Sequence, residues 1–228
     1  MEVLIVSKTH MSTAACVGGL VLVNNRYVRL LNPGNYNQST DTDFEVGEIY
    51  DITFTDRVDI HPPHIEDVII TSKRFLRRVD DMPNFITQRN ILDWNGHIDN
   101  LFDGFLSWTD SGTGYIPLEK EMPNQSVGFW ISNRELIKVT FGNKVRYRYP
   151  NGRDFRNISY VGYQETLETI PTGTILRVSL SRVFPPEVSE INSPRGYYLQ
   201  LSGWYKNGRQ VNQPIRRTAI DIENDLPF

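Results

Sequence analysis

Two stretches near the end of the chain decide its fold: L-R-V-S-L-S-R-V-F-P-P-E from Leu176 to Glu187, and G-Y-Y-L-Q-L-S-G-W-Y from Gly196 to Tyr205. Both are rich in β-branched and aromatic residues at alternating positions, and a Pro-rich connection separates them, so they predict two strands. On the second strand, strict alternation puts Tyr197, Leu199 and Leu201 on one face. Tyr198, Gln200, Ser202 and Trp204 fall on the other. A face mixing aromatics with an amide is either a core with a polar rim or a platform for a ligand.

The rest of the chain has the same character. Its 228 residues suit one large β domain or two small ones. Strands are expected at Val3 to Val6, Cys16 to Val23, Arg26 to Leu31, Ile49 to Phe54 and Val68 to Thr71, with a polar loop from Ser7 to Thr13. Asn24-Asn25 tolerates the positive φ of a tight hairpin. Residues Pro83 to Trp94 carry a helical period, with proline suited to the first turn, and a second short helix is expected from Ile98 to Phe105. From Val127 the pattern is β again: Val127 to Ile131, Leu136 to Phe141, Lys144 to Tyr149, Arg156 to Val161, Ile175 to Phe184 and Gly196 to Tyr205. Turns are expected at Gly142-Asn143, Pro150-Asn151-Gly152 and Lys206-Asn207-Gly208, and a loosely held acidic tail from Thr218. The expected fold is mainly β: two small OB-like antiparallel barrels with a short helical insert between them. The corresponding regions are 1–80, 81–126 and 127–228.

Composition narrows the function classes. The formal net charge of −3 argues against a dedicated duplex-DNA binder, whose affinity comes chiefly from phosphate contact, but leaves room for a local basic groove. The single cysteine, Cys16, allows no intrachain disulfide and fits a reducing, cytoplasmic setting. Its apolar neighbours read as a buried strand rather than the surroundings of a nucleophile. The N-terminus lacks a signal peptide's basic start, and no apolar run approaches the about 20 residues of a membrane helix. A soluble cytoplasmic protein with no membrane partner is expected.

Charge is unevenly spread. Residues 41–67 are strongly acidic. Residues 134–163 hold Arg134, Lys138, Lys144, Arg146, Arg148, Arg153 and Arg156 against Glu135 and Asp154, among many aromatics. In V-R-Y-R-Y, Arg146 and Arg148 point to one side of a strand, and Tyr147 and Tyr149 to the other. Arginines hold phosphates and aromatic faces stack on bases. The competing reading is a hairpin with core tyrosines and solvated arginines.

His61-Pro-Pro-His64-Ile-Glu66-Asp67 offers imidazoles and carboxylates for a metal, but two prolines extend the loop and nothing fixes convergence. Arg29, Arg177 and Arg182 sit in apolar strands and require partners, for which Glu66 and Asp67 are candidates. There is no Walker loop, dinucleotide fingerprint, nucleophile elbow or Cys-x-x-Cys pair, so no cofactor is indicated and no catalytic residue is assigned.

Five stretches carry a resemblance: S-K-T-H-M-S-T-A-A-C-V-G-G-L from Ser7, R-Y-V-R-L-L from Arg26, P-H-I-E-D-V from Pro63, L-R-V-S-L-S-R from Leu176 and Y-L-Q-L-S-G-W-Y from Tyr198. In this order the chain resembles the dual OB-fold-containing domain family of uncharacterised bacterial proteins. The resemblance implies two OB-like barrels, recognition of nucleic acid or nucleotides, and no established catalysis. The matched polar positions are Ser7, Lys8, Arg29, His64, Glu66, Arg177, Ser179, Arg182, Gln200, Ser202 and Trp204. The leading expectation is a non-catalytic module gripping single-stranded nucleic acid or a nucleotide-like ligand. Its candidate contacts are Lys8, Arg29, His64, Glu66, Arg146, Arg148, Arg177, Arg182, Gln200 and Trp204. The alternatives are a metal-dependent hydrolase of nucleotides or nucleic acid built on His64 and Glu66, and a structural or partner-binding protein in which these residues form buried pairs. The oligomeric state is left open.

Overall fold

The computed structural model describes residues 1–185 and 193–206. The expected acidic tail and most of the Lys206-Asn207-Gly208 turn lie outside the described residues. Six strands come first: β1 (Glu2–Met11), β2 (Ala14–Val21), β3 (Arg26–Leu31), the short β4 (Gln38–Ser39), β5 (Glu48–Asp56) and β6 (Asp67–Arg78). Their order is β1-β5-β6-β3-β2-β4, and β1 also pairs with β2, which closes a five-stranded barrel with β4 at its margin. Only β3 and β6 run parallel. This is the Greek-key barrel of an OB-fold.

The barrel core is Val3, Ile5, Val17, Val28, Leu30, Ile52 and Val68 with their neighbours. Leu4 and Val6, on the outward face of β1, are also buried, but in a different cluster. Val3-Leu-Ile-Val6 is continuously apolar because this strand is covered on both faces. The polar loop expected from Ser7 is instead the second half of β1. After a bulge between Ile5 and Ser7, Ser7 to Met11 continue to pair with β2. Ladder hydrogen bonds come from the backbone, so polar side chains do not prevent pairing. β6 likewise runs past Thr71 to Arg78. Its exposed cations pair with acids: Lys73 with Asp43, Arg74 with Asp51, Arg77 with Glu2 and Arg78 with Glu48.

A connector follows: helix α1 (Met82–Gln88), β7 (Trp94–Gly96), a 3-10 segment Ile98–Gly104, β8 (Ser107–Trp108) and β9 (Gly114–Pro117). The Asp81 carboxylate caps α1 by accepting from Asn84 N–H at 3.0 Å. The helix is shorter than expected. Asn90 adopts left-handed geometry, with φ of 53°, and Trp94 already belongs to a strand that pairs in parallel with the second barrel.

The second half contains β10 (Val127–Ser132), β11 (Leu136–Phe141), β12 (Lys144–Asn151), β13 (Asp154–Tyr160), β14 (Thr169–Ile170), β15 (Ile175–Phe184) and β16 (Gly196–Tyr205). The main path runs β11-β12-β13-β16-β15-β10, with β13 parallel to β16. β10 and β11 lie at opposite ends of this path, yet only Asn133, Arg134 and Glu135 separate them in the chain. They act as one bent first strand, and the order repeats that of the first barrel. Trp130, Tyr147, Tyr149, Ile158, Val178, Leu199, Leu201 and Trp204 fill the core.

The face assignment read by alternation on β16 requires correction. Leu201 pairs with Val178 but Gly203 pairs with Arg177, so Ser202 is an extra residue in a bulge. The bulge resets the alternation and turns Trp204 into the core beside Leu199 and Leu201.

A third apolar cluster joins the two halves. Leu4, Val6, Leu20 and Ile49 from the outside of the first barrel meet Met82 and Ile86 of α1 and Phe129, Ile175 and Tyr205 of the second half. Tyr205 Oη also donates to Val6 O. No helix among the described residues is long and apolar enough to cross a membrane.

Candidate functional site

Six of the expected contact residues lie in a polar joint between the barrels. Its centre is Asp67, 2% exposed at the start of β6. Arg29 donates to both its oxygens at 2.6 Å, Arg57 Nη1 at 2.9 Å, and Arg182 Nη2 of the second barrel at 2.9 Å. Glu66 is buried, accepting from Ser126 N at 2.6 Å and Ser126 Oγ at 2.8 Å. His64 is buried with Nε2 3.0 Å from Ser181 O, and its ring meets Tyr197 edge to face. Arg177, 1% exposed, lies over the rings of Tyr27 at 4.2 Å and Phe129 at 4.9 Å, with Nε and Nη1 lacking hydrogen-bond partners. Lys8 Nζ donates to Thr42 O at 2.9 Å and Glu45 Oε1 at 3.0 Å.

The proposed metal loop does not assemble. His64, Glu66 and Asp67 turn to three different sets of protein partners. Among the described residues, no group of three or more His, Cys, Asp or Glu gathers as a metal site. Cys16 lies in β2, and burial pushes its thiol above the ordinary value, opposite to nucleophile activation.

Burial also pushes the His64 imidazole down, to about 4 from 6.5. Between those values the unfolded chain binds the proton and the folded chain does not, so stability falls as pH drops from 6.5 and the loss is complete below about 4. The shift corresponds to about 3 kcal/mol. Burial raises the Glu66 carboxyl despite its bonds to Ser126, and this contributes in the opposite sense, adding stability as pH falls. Comparison with His64→Gln, whose amide can still donate to Ser181 O, isolates the histidine. The variant should lose about 3 kcal/mol less than the parent between pH 7 and pH 4 in urea unfolding. Equal losses would mean that His64 is not held neutral by burial.

Trp204 and Gln200 sit in β16. Trp204 is 3% exposed and packs against Tyr147 and Tyr160, so the expectation that it stacks on a ligand does not hold. Gln200 is half-buried between Ser159 and Ser179 in the ladder.

The remaining two expected contacts, Arg146 and Arg148, are placed differently. On β12, Tyr147 and Tyr149 are fully buried, donating from their hydroxyls to Leu167 O at 2.9 Å and Asn133 Oδ1 at 2.7 Å. The alternate residues face out. Arg148 lies 4.0 Å from the Phe155 ring centroid and 5.8 Å from that of Phe141, while Arg146 lies 5.3 Å from Phe141. Arg156 stacks on Trp108 at 4.6 Å. Phe141 and Phe155 are 47% and 41% exposed. None of these three arginines forms an ion pair among the described residues, and the Nε of each is buried without a hydrogen-bond partner. Partial burial pulls the Arg146 guanidinium below its ordinary value. The neighbouring strands thus supply the aromatic faces that β12 itself turns inward. Phe141 and Phe155 belong to the basic-aromatic stretch seen in the sequence. Trp108 lies far outside it, and only the fold brings it near.

A family model described as Dual OB-containing domain matches residues 1–204. The chain belongs to this family. No curated protein matches it. The chain is similar to a solved structure titled "Structure of murine DNA binding protein bound with ds DNA", at 11% identity and a TM-score of 0.32, covering 94% of this chain and 97% of that one. A likeness that weak carries no weight for the ligand.

In this dual OB protein the two barrels expose different surfaces. OB-folds use the face of their second and third strands for oligonucleotides and oligosaccharides. In the first barrel these are β2 and β3, whose Leu20 and Tyr27 are covered by the Phe129 and Arg177 side of the joint. In the second they are β12 and β13, whose outer face carries Arg146, Arg148 and Phe155.

Proposed function

We propose that the protein is a binding module for single-stranded nucleic acid, and that the strand lies across the outer face of β12 and β13. The observation that carries this reading is the set of arginines without acidic partners held on exposed phenylalanines: Arg146 and Arg148 over Phe141 and Phe155. The rings fix the guanidinium planes through cation–π contact and leave their outer N–H groups for phosphates. The exposed ring surface suits stacking by unpaired bases, which a duplex does not offer. The overall net charge of −3 is no obstacle, since the acids lie mainly in the first half. Lys8, Arg29, His64, Glu66, Arg177 and Arg182 are assigned to holding the barrels in register, so the partner-binding alternative keeps its structural half.

Fluorescence anisotropy with labelled single strands at low salt tests the reading. The double substitution Arg146→Ala/Arg148→Ala should weaken binding by at least about tenfold and reduce the slope of log K against log salt by about 1.4, two phosphate contacts on a single strand. Phe155→Ala should weaken binding by about 1–3 kcal/mol while leaving the slope unchanged. Arg26→Ala, which removes an exposed ion pair on the first barrel, is the control. Unaltered affinity and slope in the double variant would overturn the proposal.

A further inference from the structure

We propose that the groove beside this face holds one ribonucleoside of the bound strand, making the ligand RNA rather than DNA; this rests on the reading above. The groove has a volume of about 440 Å³, within the roughly 300–1,000 Å³ range of small-ligand sites. Arg146 and its cross-strand partner Ser159 line it, so it is continuous with the basic face. Trp108 and the stacked pair Tyr115–Tyr198, with ring centroids 5.5 Å apart, add aromatic wall.

The polar groups here differ from those on the open face. Asp110 lines the groove, is exposed, and has no cationic partner among the described residues. A carboxylate repels phosphate, so this part of the groove selects a neutral portion of the strand with a hydrogen to donate. Ser159 also lines the groove and brings a hydroxyl to it. Within a nucleic-acid strand the sugar donates only through its 2′-hydroxyl, which DNA lacks. Acidic side chains receive ribose hydroxyls in this way in dinucleotide sites. The assignment is therefore phosphates on Arg146 and Arg148, a base against Trp108 or the tyrosine wall, and the 2′-hydroxyl donating to Asp110.

The test compares oligo-rU with oligo-dU, each about 12 nucleotides long, by anisotropy. These differ only in the 2′-hydroxyl; the uracil N3–H, the one donor on the base, is common to both, so any contact it makes with Asp110 cancels in the comparison. The parent protein should bind oligo-rU about fivefold more tightly, the worth of one hydrogen bond. Asp110→Ala should bring the two affinities together by weakening oligo-rU, with no loss for oligo-dU. Equal affinities in the parent, or a ratio that survives Asp110→Ala, would overturn the RNA assignment while leaving the single-strand reading standing. Binding of neither oligomer would overturn both. Thermal unfolding of Asp110→Ala checks the fold, which this exposed residue should leave unchanged.

Discussion

Replacing Asp67 with alanine is expected to destabilise the protein by about 3–5 kcal/mol, the usual cost of removing one partner from a buried charge network. Asp67 is the only acid touching Arg29, Arg57 and Arg182 in the ion pairs of the described residues. Its loss leaves Arg29, itself mostly buried, without compensation and cuts the one ion pair here that bridges the barrels, Arg182 to Asp67 at 2.9 Å. The melting temperature should fall by about 6–20 °C for a protein of this size. Asp67→Asn should fall between the parent and Asp67→Ala, because the amide keeps the shape and accepts a hydrogen bond but loses the charge. Arg182→Ala should cost under about 1 kcal/mol, since that end of the network is open to solvent. Urea unfolding of the four proteins checks the order. If Asp67→Ala unfolds within 1 kcal/mol of the parent, by the standard of surface substitutions, the joint is not what holds the barrels.

Trp204→Ala is expected to cost a similar about 3–5 kcal/mol, but for a different reason. It opens a cavity between Tyr147 and Tyr160, whose ring centroids lie 5.7 and 5.1 Å from that of the tryptophan. Near-UV circular dichroism should show loss of aromatic order, and the midpoint in urea should drop sharply. Trp204→Phe should keep the fold and keep single-strand affinity within about twofold, because the ring makes no surface for a base. A folded Trp204→Phe protein whose oligonucleotide affinity falls about tenfold would return Trp204 to the ligand and remove the outer face of β12 and β13 from that role.

The difference between Trp204 and Arg148 marks how far periodicity reaches. Both stood as candidates on the same grounds: a chemically apt residue on a mixed face of a strand. For β12 the alternation held, and Tyr147 and Tyr149 went inward while the arginines went outward. For β16 one bulged residue at Ser202 reversed the alternation. A bulge has no side-chain period of its own, so the sequence alone could not place Trp204. The stacking partners of the arginines were equally hidden. Phe155 reaches Arg148 through the register of β12 with β13, and Trp108 reaches Arg156 through a connector well upstream in the chain.

The mainly β character, the central helix, most strand positions and the need of Arg29 for an acidic partner were legible in the residues alone. These depend on local propensity, turn chemistry and the cost of an unpaired charge in an apolar strand. Tertiary structure alone decided which polar residues are joint and which are surface. His64, Glu66, Arg177 and Arg182 are buried or paired because one barrel sits against the other, whereas Arg146 and Arg148 stay half-exposed because, among the described residues, the first barrel does not pack on their face. Burial against a distant segment depends on long-range packing, for which neighbouring residues in the chain carry no signal.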